Sequence, residues 1–300
     1  MNCIYLYNPN SGKSKYKNKK DYIVNRLHEK FEVVDYYETK SREEAMELAK
    51  NACGYYDALI FSGGDGTVND IVNAVADCEH KIALGYIPSG TCNDFARSLK
   101  IPNNIDKALD LIINGEVKSY DIFKVNERYG VYVCANGIFT SASYDTKQKF
   151  KKKLGKIAYY FHSAGEIFRT RANEVVVNVN GEEIKLNSVL TLFINSCSVA
   201  GYKFNKKSNV NDGLMDFVAI TQKEDKKKLT LKSLLIVFKM FLFGLDSVKK
   251  YKSVKYFQFD SCTASFKDET IVNIDGENGG VQDFEIKVYK DYINVLTKSN

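Results

Sequence analysis

The 300-residue sequence is poor in the residues that mark disordered or zinc-bound chains. It has no tryptophan, three prolines and three histidines, and its seven cysteines never form a CxxC pair. So few prolines, together with 44% hydrophobic residues, are typical of a folded globular chain. The dispersed cysteines and histidines offer no ligand set for zinc, and we expect the cysteines to be reduced thiols in a cytosolic protein.

Long apolar segments are also scarce. The N-terminal stretch MNCIYLYNPNSGK predicts a short strand and a turn, without the length or flanks of a signal peptide. The most apolar segment, 229–245, is interrupted by Lys232 and Lys239 and is shorter than the about 20 apolar residues that a membrane span needs. It predicts a helix buried in the core, and a helix that lies in a lipid surface is the alternative.

The spacing of apolar residues changes near residue 125, which predicts two domains. Residues 1–124 alternate short apolar strands with amphipathic helices, the rhythm of an α/β domain. One of the predicted helices is 105–114, ended by Gly115. Residues 125–286 contain period-two strands separated by turns, among them a hairpin turn at Asn180 and Gly181. The predicted strands of this part are 131–135, 174–179, 189–195, 215–220, 256–259, 270–274 and 284–289. The predicted fold class is therefore α/β plus all-β, with an α/β domain followed by a β-sandwich domain.

Glycine turns follow two apolar strands of the first domain. The strand 58–62 runs into GGDGTVND at 63–70, and the strand 82–87 runs into PSGTCND at 88–94. Each unit is a buried strand, a glycine turn and the pattern Gly-Thr-x-Asn-Asp that opens a helix. We expect these glycines to adopt positive φ and to let the backbone approach a phosphate at the helix N-terminus.

Further residues of these loops support the same interpretation. Thr67 and Thr91 are expected to cap the two helices and to offer hydroxyls to a phosphate. A third loop, NPNSGK at 8–13, leaves the first strand, although Tyr7 stands where a Walker A loop needs glycine. Because ligands of open α/β sheets gather at the carboxyl ends of the strands, the three loops predict one nucleotide site.

With these loops the sequence resembles the diacylglycerol kinase catalytic-domain family, in particular its bacterial soluble lipid kinases. The resemblance covers essentially the whole chain and also rests on NVNDGLMD at 209–216 and IDGEN at 274–278. It implies a nucleotide-binding α/β domain at 1–124, joined by about 287–300, a β-sandwich lipid domain at 125–286, and an active site in a cleft between them. It further implies ATP as phosphoryl donor, Mg²⁺ as cofactor and a membrane-lipid hydroxyl, first that of diacylglycerol, as acceptor.

The resemblance also assigns roles to individual residues. Asp94 is expected to act beside Asp65 in orienting magnesium-bound water. The turn at 275–277 is expected to supply the general base, and its two carboxylates, Asp275 and Glu277, are both open candidates. The expected metal ligands are the side chain of Asp212 and the backbone oxygens of Asn209 and Leu214. The expected ATP-binding residues are Asn8, Pro9, Asn10, Ser11, Gly12, Thr39, Gly63, Gly64, Asp65, Gly66, Thr67, Val68, Asn69 and Thr91.

Two other functions fit parts of the pattern. A NAD kinase shares the GGDG turn but not PSGTCND, and a non-catalytic lipid- or nucleotide-binding module would not need the full set of carboxylates. Neither the acceptor lipid nor the oligomeric state follows from the sequence, and a homodimer stays open.

Basic residues exceed acidic ones by 43 to 37 and are concentrated in two clusters. The first cluster lies within 147–156, and the second is 226–228, directly before the apolar segment. We expect these clusters to bring a cytoplasmic enzyme to an anionic membrane surface as a peripheral protein, with a solvated surface as the alternative. No nucleic-acid-binding motif accompanies the lysines. The first cluster is Lys147, Lys149, Lys151, Lys152, Lys153 and Lys156.

Overall fold

The computed structural model describes residues 1–9, 16, 18–138, 171–280 and 283–298. The chain divides into two compact units. The first consists of Met1–Ile122, Val210–Asp212 and Tyr289–Asn300, and the second of Phe123–Asn209 and Gly213–Val288. The lysine cluster predicted at 147–156 lies outside the described residues.

The first unit alternates strands and helices, as predicted. Its described elements are β1 (Asn2–Tyr7), α1 (Lys20–Leu27), β2 (Val33–Glu38), α2 (Arg42–Ala52), β3 (Ala58–Gly63), α3 (Asp65–Val75), β4 (Ala83–Pro88), α4 (Asp94–Ser98), α5 (Ile105–Asn114) and the first part of β5 (Glu116–Val125). Helix α5 has the predicted bounds, because Asn104 caps its first turn by accepting the Lys107 N–H and the chain leaves the helix at Gly115.

Four strands of this unit form a parallel sheet in the order β2-β1-β3-β4, and all residues of β3 and β4 are buried. The long strand β17 (Asp283–Thr297) adds its last residues beside β4, through Asn294 and Val295. Since β1, β3 and β4 are parallel, the loops that follow them lie at the same edge of the sheet.

The second unit is rich in antiparallel strands. Its described elements are the end of β5, β6 (Arg128–Gly130), β7 (Val133–Gly137), β8 (Asn173–Val179), β9 (Glu182–Ile194), β10 (Ser198–Val199), β11 (Tyr202–Lys203), β12 (Met215–Thr221), α6 (Leu231–Phe243), β13 (Val254–Phe259), β14 (Ser261–Phe266), β15 (Asn273–Ile274), β16 (Glu277–Asn278) and the start of β17. Asn180 and Gly181 form the predicted hairpin turn between β8 and β9, both with positive φ. The core contains a cluster of phenylalanines around Phe193.

Some elements differ from their prediction. Strands β5 and β14 were not predicted, because β5 begins with charged, exposed residues and the buried positions of β14 include the small Cys262 and Ala264. The strand predicted at 270–274 is reduced to Asn273–Ile274. Before this strand, the backbone oxygen of Ile271 accepts the Asn136 side chain at 3.0 Å.

The apolar segment forms helix α6, and the prediction that this helix is buried in the core is wrong for one of its faces. Ile236, Val237 and Met240 are buried, whereas Leu231 and Leu242 are among the most exposed apolar side chains described. In the described part of the chain, no helix is both long and apolar enough to cross a bilayer.

Candidate active-site residues

The two glycine turns of the first unit contact each other through their backbones. Ser89 and Gly90 both donate backbone N–H groups to the Gly63 oxygen, at 2.8 and 3.2 Å. A Cβ added at Gly90 would lie 2.5 Å from the Gly64 Cα, and one added at Gly64 would lie 3.2 Å from the Gly90 Cα. These glycines therefore allow two loops to pack main chain against main chain.

The expected positive φ angles are not found at these glycines. Gly63, Gly64, Gly66 and Gly90 all lie outside the left-handed region, and the residue that enters it is Asn93, at φ 53°. A tightly packed turn needs the absence of a side chain here, not the special backbone angles that we expected. That part of the prediction is wrong.

The two threonines do not cap their helices as expected. Helix α3 begins at Asp65 with Gly64 as its N-cap, so Thr67 lies inside the first turn. Helix α4 begins at Asp94 after the N-cap Asn93, so Thr91 precedes the helix. Helix geometry leaves the first N–H groups of α3 without intrahelical acceptors, and the partial positive charge of that end favours an anion.

Asn93 and Tyr86 hold the second turn in place, and sequence reasoning did not select either as a site residue. The Tyr86 hydroxyl donates to the Gly63 oxygen at 3.1 Å and lies 3.3 Å from the Asn93 Oδ1. The Asn93 amide donates to the Gly90 oxygen at 3.2 Å and to the Asn103 Oδ1 at 2.9 Å. Asn93 belongs to the motif PSGTCND, but a buried tyrosine in a strand gives no sequence signal.

The structure brings Asp65 and Asp94 together at this edge. The Asp65 carboxylate accepts the Phe95 N–H at 3.3 Å and so binds the first turn of α4. Asp94 is buried, with 1% of its surface exposed. Burial, and then the negative charge of Asp94, raise the pKa of Asp65 to about 7. A pair of carboxylates that resists full ionisation is an arrangement that a cation would stabilise.

The remaining residues expected to bind ATP fall into three groups. Asn8 and Pro9 follow β1, and the buried Thr39 donates its backbone N–H to the Tyr7 oxygen at 2.9 Å, which fixes it beside that strand end. Val68 and Asn69 are buried in α3, so their side chains are directed away from solvent. The loop residues Asn10, Ser11 and Gly12 lie outside the described part of the chain.

The residues expected to bind magnesium lie on both sides of a short segment that is fixed to β5. The Val210 oxygen accepts the Asp121 N–H at 2.9 Å, and the Asn211 side chain donates to the Ser119 oxygen. The next residue, Asp212, is half-buried. Within the described ranges, no group of three or more His, Cys, Asp or Glu side chains could hold a metal ion. The set of one carboxylate and two backbone oxygens, at Asn209 and Leu214, stays a prediction.

In the second unit, Asp275 lies in a hairpin turn and Glu277 directly follows it, and the two carboxylates have different surroundings. Asp275 and Gly276 both have positive φ, and Ile274 pairs with Glu277. The Asp275 carboxylate is 2% exposed and accepts three backbone N–H groups, of Val131 at 2.6 Å and of Tyr132 and Val133 at 3.0 Å each. Glu277, on β16, is half-buried. Asp275 is thus committed to holding the backbone of residues 131–133.

A parallel sheet with packed glycine loops at its carboxyl edge, beside an anion-favouring helix end, is an arrangement typical of α/β proteins that bind phosphates. Comparisons with known proteins identify the family of this chain. Residues 2–125 match the family model of the diacylglycerol kinase catalytic domain. Proteins named diacylglycerol kinase from Staphylococcus saprophyticus and Bacillus subtilis are each 31% identical over 297 residues, which span 98% of this chain and 95% of each relative.

A solved structure gives the same result for the fold. The crystal structure of a diacylglycerol kinase from Bacillus anthracis superposes with a TM-score of 0.80 at 25% identity, covering 99% of this chain and 97% of that one. The chain belongs to the diacylglycerol kinase family, whose members are lipid kinases. The expected fold class and the expected family are both confirmed.

Proposed function

We propose that the protein transfers the γ-phosphate of ATP to the hydroxyl of a membrane lipid, with diacylglycerol as the first candidate and phosphatidic acid as its product. The observation that carries this proposal is the contact between Gly64 and Gly90 at the N-terminus of α3. Because neither glycine carries a side chain, the backbone of these turns is accessible to a ligand at the end of the sheet where ligands bind. The names of the curated relatives support the lipid acceptor.

In this proposal the first unit binds the phosphates of ATP. The backbone of 63–67 and the start of α3 supply N–H groups and a partial positive charge. Asn8, Pro9 and Thr39 lie at the same sheet edge, and Thr91 is exposed before α4. Phosphoryl transfer depends mainly on such positioning and on charge stabilisation, and the loops described here are suited to both.

The donor set for magnesium consists of oxygen atoms, which this ion prefers over nitrogen and sulfur. Asp212 would provide a carboxylate, and Asn209 and Leu214 would provide backbone oxygens. The preceding segment is anchored on β5, which limits the positions that Asp212 can adopt. A bound ion would offset the negative charge that develops on the transferred phosphate.

Glu277 is the better candidate for the general base. Asp275 already accepts three backbone N–H groups in a buried place, and a protonated carboxyl group would accept them less strongly, which opposes proton uptake there. Glu277 stands two residues away, is partly open to solvent and has a carboxylate that can take the proton of a lipid hydroxyl. We therefore assign the base to Glu277 and a positioning role to Asp275.

The decisive experiment is a phosphorylation assay of the purified protein with labelled ATP and magnesium. The acceptors are dispersed diacylglycerol, a sphingoid base, a polyprenol, phosphatidylglycerol and, separately, NAD. We expect labelled phosphatidic acid with diacylglycerol, and its loss in Glu277→Gln. Labelling of NAD instead would overturn the proposal in favour of a NAD kinase, and no turnover with any acceptor would favour a non-catalytic binding module.

A further inference from the structure

Helix α6 presents a stripe of large apolar side chains to solvent. Leu231, Leu235, Phe238 and Leu242 are 71%, 60%, 47% and 69% exposed. Their spacing of four, three and four residues places them on one face of the helix. Phe243, 68% exposed, extends the stripe at its end. A contiguous apolar surface of this kind in a folded protein indicates a binding surface.

The helix itself is well anchored, so this exposure does not come from a frayed end. The Thr230 side chain caps the helix by accepting the Ser233 N–H at 3.2 Å. At the other end, the Gly244 N–H donates to the Met240 oxygen at 2.8 Å. Lys239 donates to the Tyr251 hydroxyl at 2.8 Å. The apolar stripe is therefore carried by a fixed element.

A basic loop is tied to the first turn of this helix by one glutamine. The Gln222 amide donates to the Lys226 oxygen and, at 3.0 Å, to the Lys228 oxygen. Its Oε1 accepts the Thr230 N–H at 3.4 Å. The loop 223–228 is thus held next to α6, and Lys223, Lys226, Lys227 and Lys228 are exposed there.

The segment that contains α6 and the basic loop is rich in positive charge. Residues 223–252 contain nine lysines and three acidic residues, a net charge of +6, which equals the net charge of the whole chain. Two of the three acidic residues have lysine neighbours: Asp225 lies 3.5 Å from Lys226, and Asp246 lies 3.4 Å from both Lys207 and Lys249. The surface around α6 is strongly positive as well as apolar.

We infer that α6 and the loop 223–228 form the surface by which the protein docks on an anionic lipid bilayer. The apolar stripe lies at the boundary between headgroups and acyl chains, and the lysines meet the lipid phosphates. A second copy of the chain suits this surface less well, because a two-fold interface would bring two sets of lysines together. The purpose of the docking, access to a lipid acceptor, rests on the function proposed above.

The test measures vesicle binding without any catalytic readout. The variant combines Leu231→Gln, Leu235→Gln and Leu242→Gln, three exposed positions, so that folding is preserved. The matched control is Tyr55→Gln, a side chain 81% exposed in the first unit. Binding is measured by cosedimentation with vesicles of phosphatidylcholine and phosphatidylglycerol, and with phosphatidylcholine vesicles alone.

We expect the wild type and the control to bind the anionic vesicles, less tightly at high salt, and to bind neutral vesicles weakly. The triple variant should lose about tenfold in affinity for each leucine removed from the lipid boundary. Unchanged vesicle binding of the triple variant would overturn the inference. So would a wild-type dimer that the substitutions convert to a monomer without any change in vesicle binding, because the stripe would then join two chains.

The outcome can be separated from that of the proposed function. If the wild type binds vesicles through α6 but phosphorylates no lipid, the docking surface is supported and the proposed lipid kinase function is overturned. Where both hold, the triple variant should phosphorylate a short-chain, water-soluble diacylglycerol at the wild-type rate, and vesicle-borne diacylglycerol more slowly. An equal loss on both substrates would contradict a role in docking.

Discussion

Asp275 and Glu277, replaced one at a time by the corresponding amide, should give two different defects. Asp275→Asn removes an acceptor that holds three backbone N–H groups at 2.6–3.0 Å in a buried place. Glu277→Gln changes a half-buried side chain on β16 that borders the turn. The first substitution should therefore affect folding, and the second should affect turnover.

The expected size of the folding defect follows from the hydrogen bonds. A hydrogen bond to a charged group contributes about 1.5–3 kcal/mol net. The amide introduced by Asp275→Asn would keep one acceptor oxygen but would turn its NH₂ group toward a backbone N–H, so at least one bond is lost and two donors face each other. We expect this substitution to lower the free energy of unfolding by about 2–4 kcal/mol, a large part of the about 5–15 kcal/mol of a typical protein.

The expected turnover defect follows from the role of a general base, which contributes about 10²–10⁴-fold to the rate. Glu277→Gln should lower kcat by that factor, with unchanged ATP affinity and a free energy of unfolding within about 0.5 kcal/mol of the wild type. Urea denaturation and kcat with saturating ATP and diacylglycerol measure the two effects. An Asp275→Asn variant of wild-type stability, or a Glu277→Gln variant of wild-type kcat, would refute this division of roles.

Three further predictions concern the first unit. Gly90→Ala should cost about 1–3 kcal/mol in urea denaturation and weaken binding of an ATP analogue, because its Cβ would lie 2.5 Å from the Gly64 Cα. Gly64→Ala, with a closest contact of 3.2 Å, should cost less, and equal costs would contradict a packing role. The pKa of Asp65 is raised from 3.8 to about 7, so between those pH values the folded protein keeps a proton that the unfolded chain has lost. The free energy of unfolding should therefore fall as the pH rises through that range. Asp65→Asn should flatten this fall by up to about 1.4 kcal/mol per pH unit, and identical pH profiles of the two proteins in metal-free urea denaturation would contradict the shift. Asp212→Ala should reduce the rise in Tm that magnesium gives the wild type, and a wild-type Tm that ignores magnesium would count against an ion at this residue.

Local features of the sequence were sufficient for much of the fold. Helix α5 was predicted with its observed bounds, because its apolar periodicity and the Gly115 that ends it lie within a few residues of one another. The turn at Asn180 and Gly181 and the buried strands β3 and β4 were predicted for the same reason. The motifs that follow those strands were also sufficient to predict the family.

Contacts between distant residues decided what the local pattern left open. Gly64 and Gly90 are glycines because their two loops touch, and a single loop sequence does not contain that contact. The sequence offered Asp275 and Glu277 as equal candidates, and only the N–H groups of residues more than 140 positions away distinguish them. The sequence of α6 does not show whether its apolar side chains are buried or exposed. Only the packing of Ile236, Val237 and Met240 determines which face is left to solvent, because burial depends on the neighbours that a helix meets and not on its own periodicity.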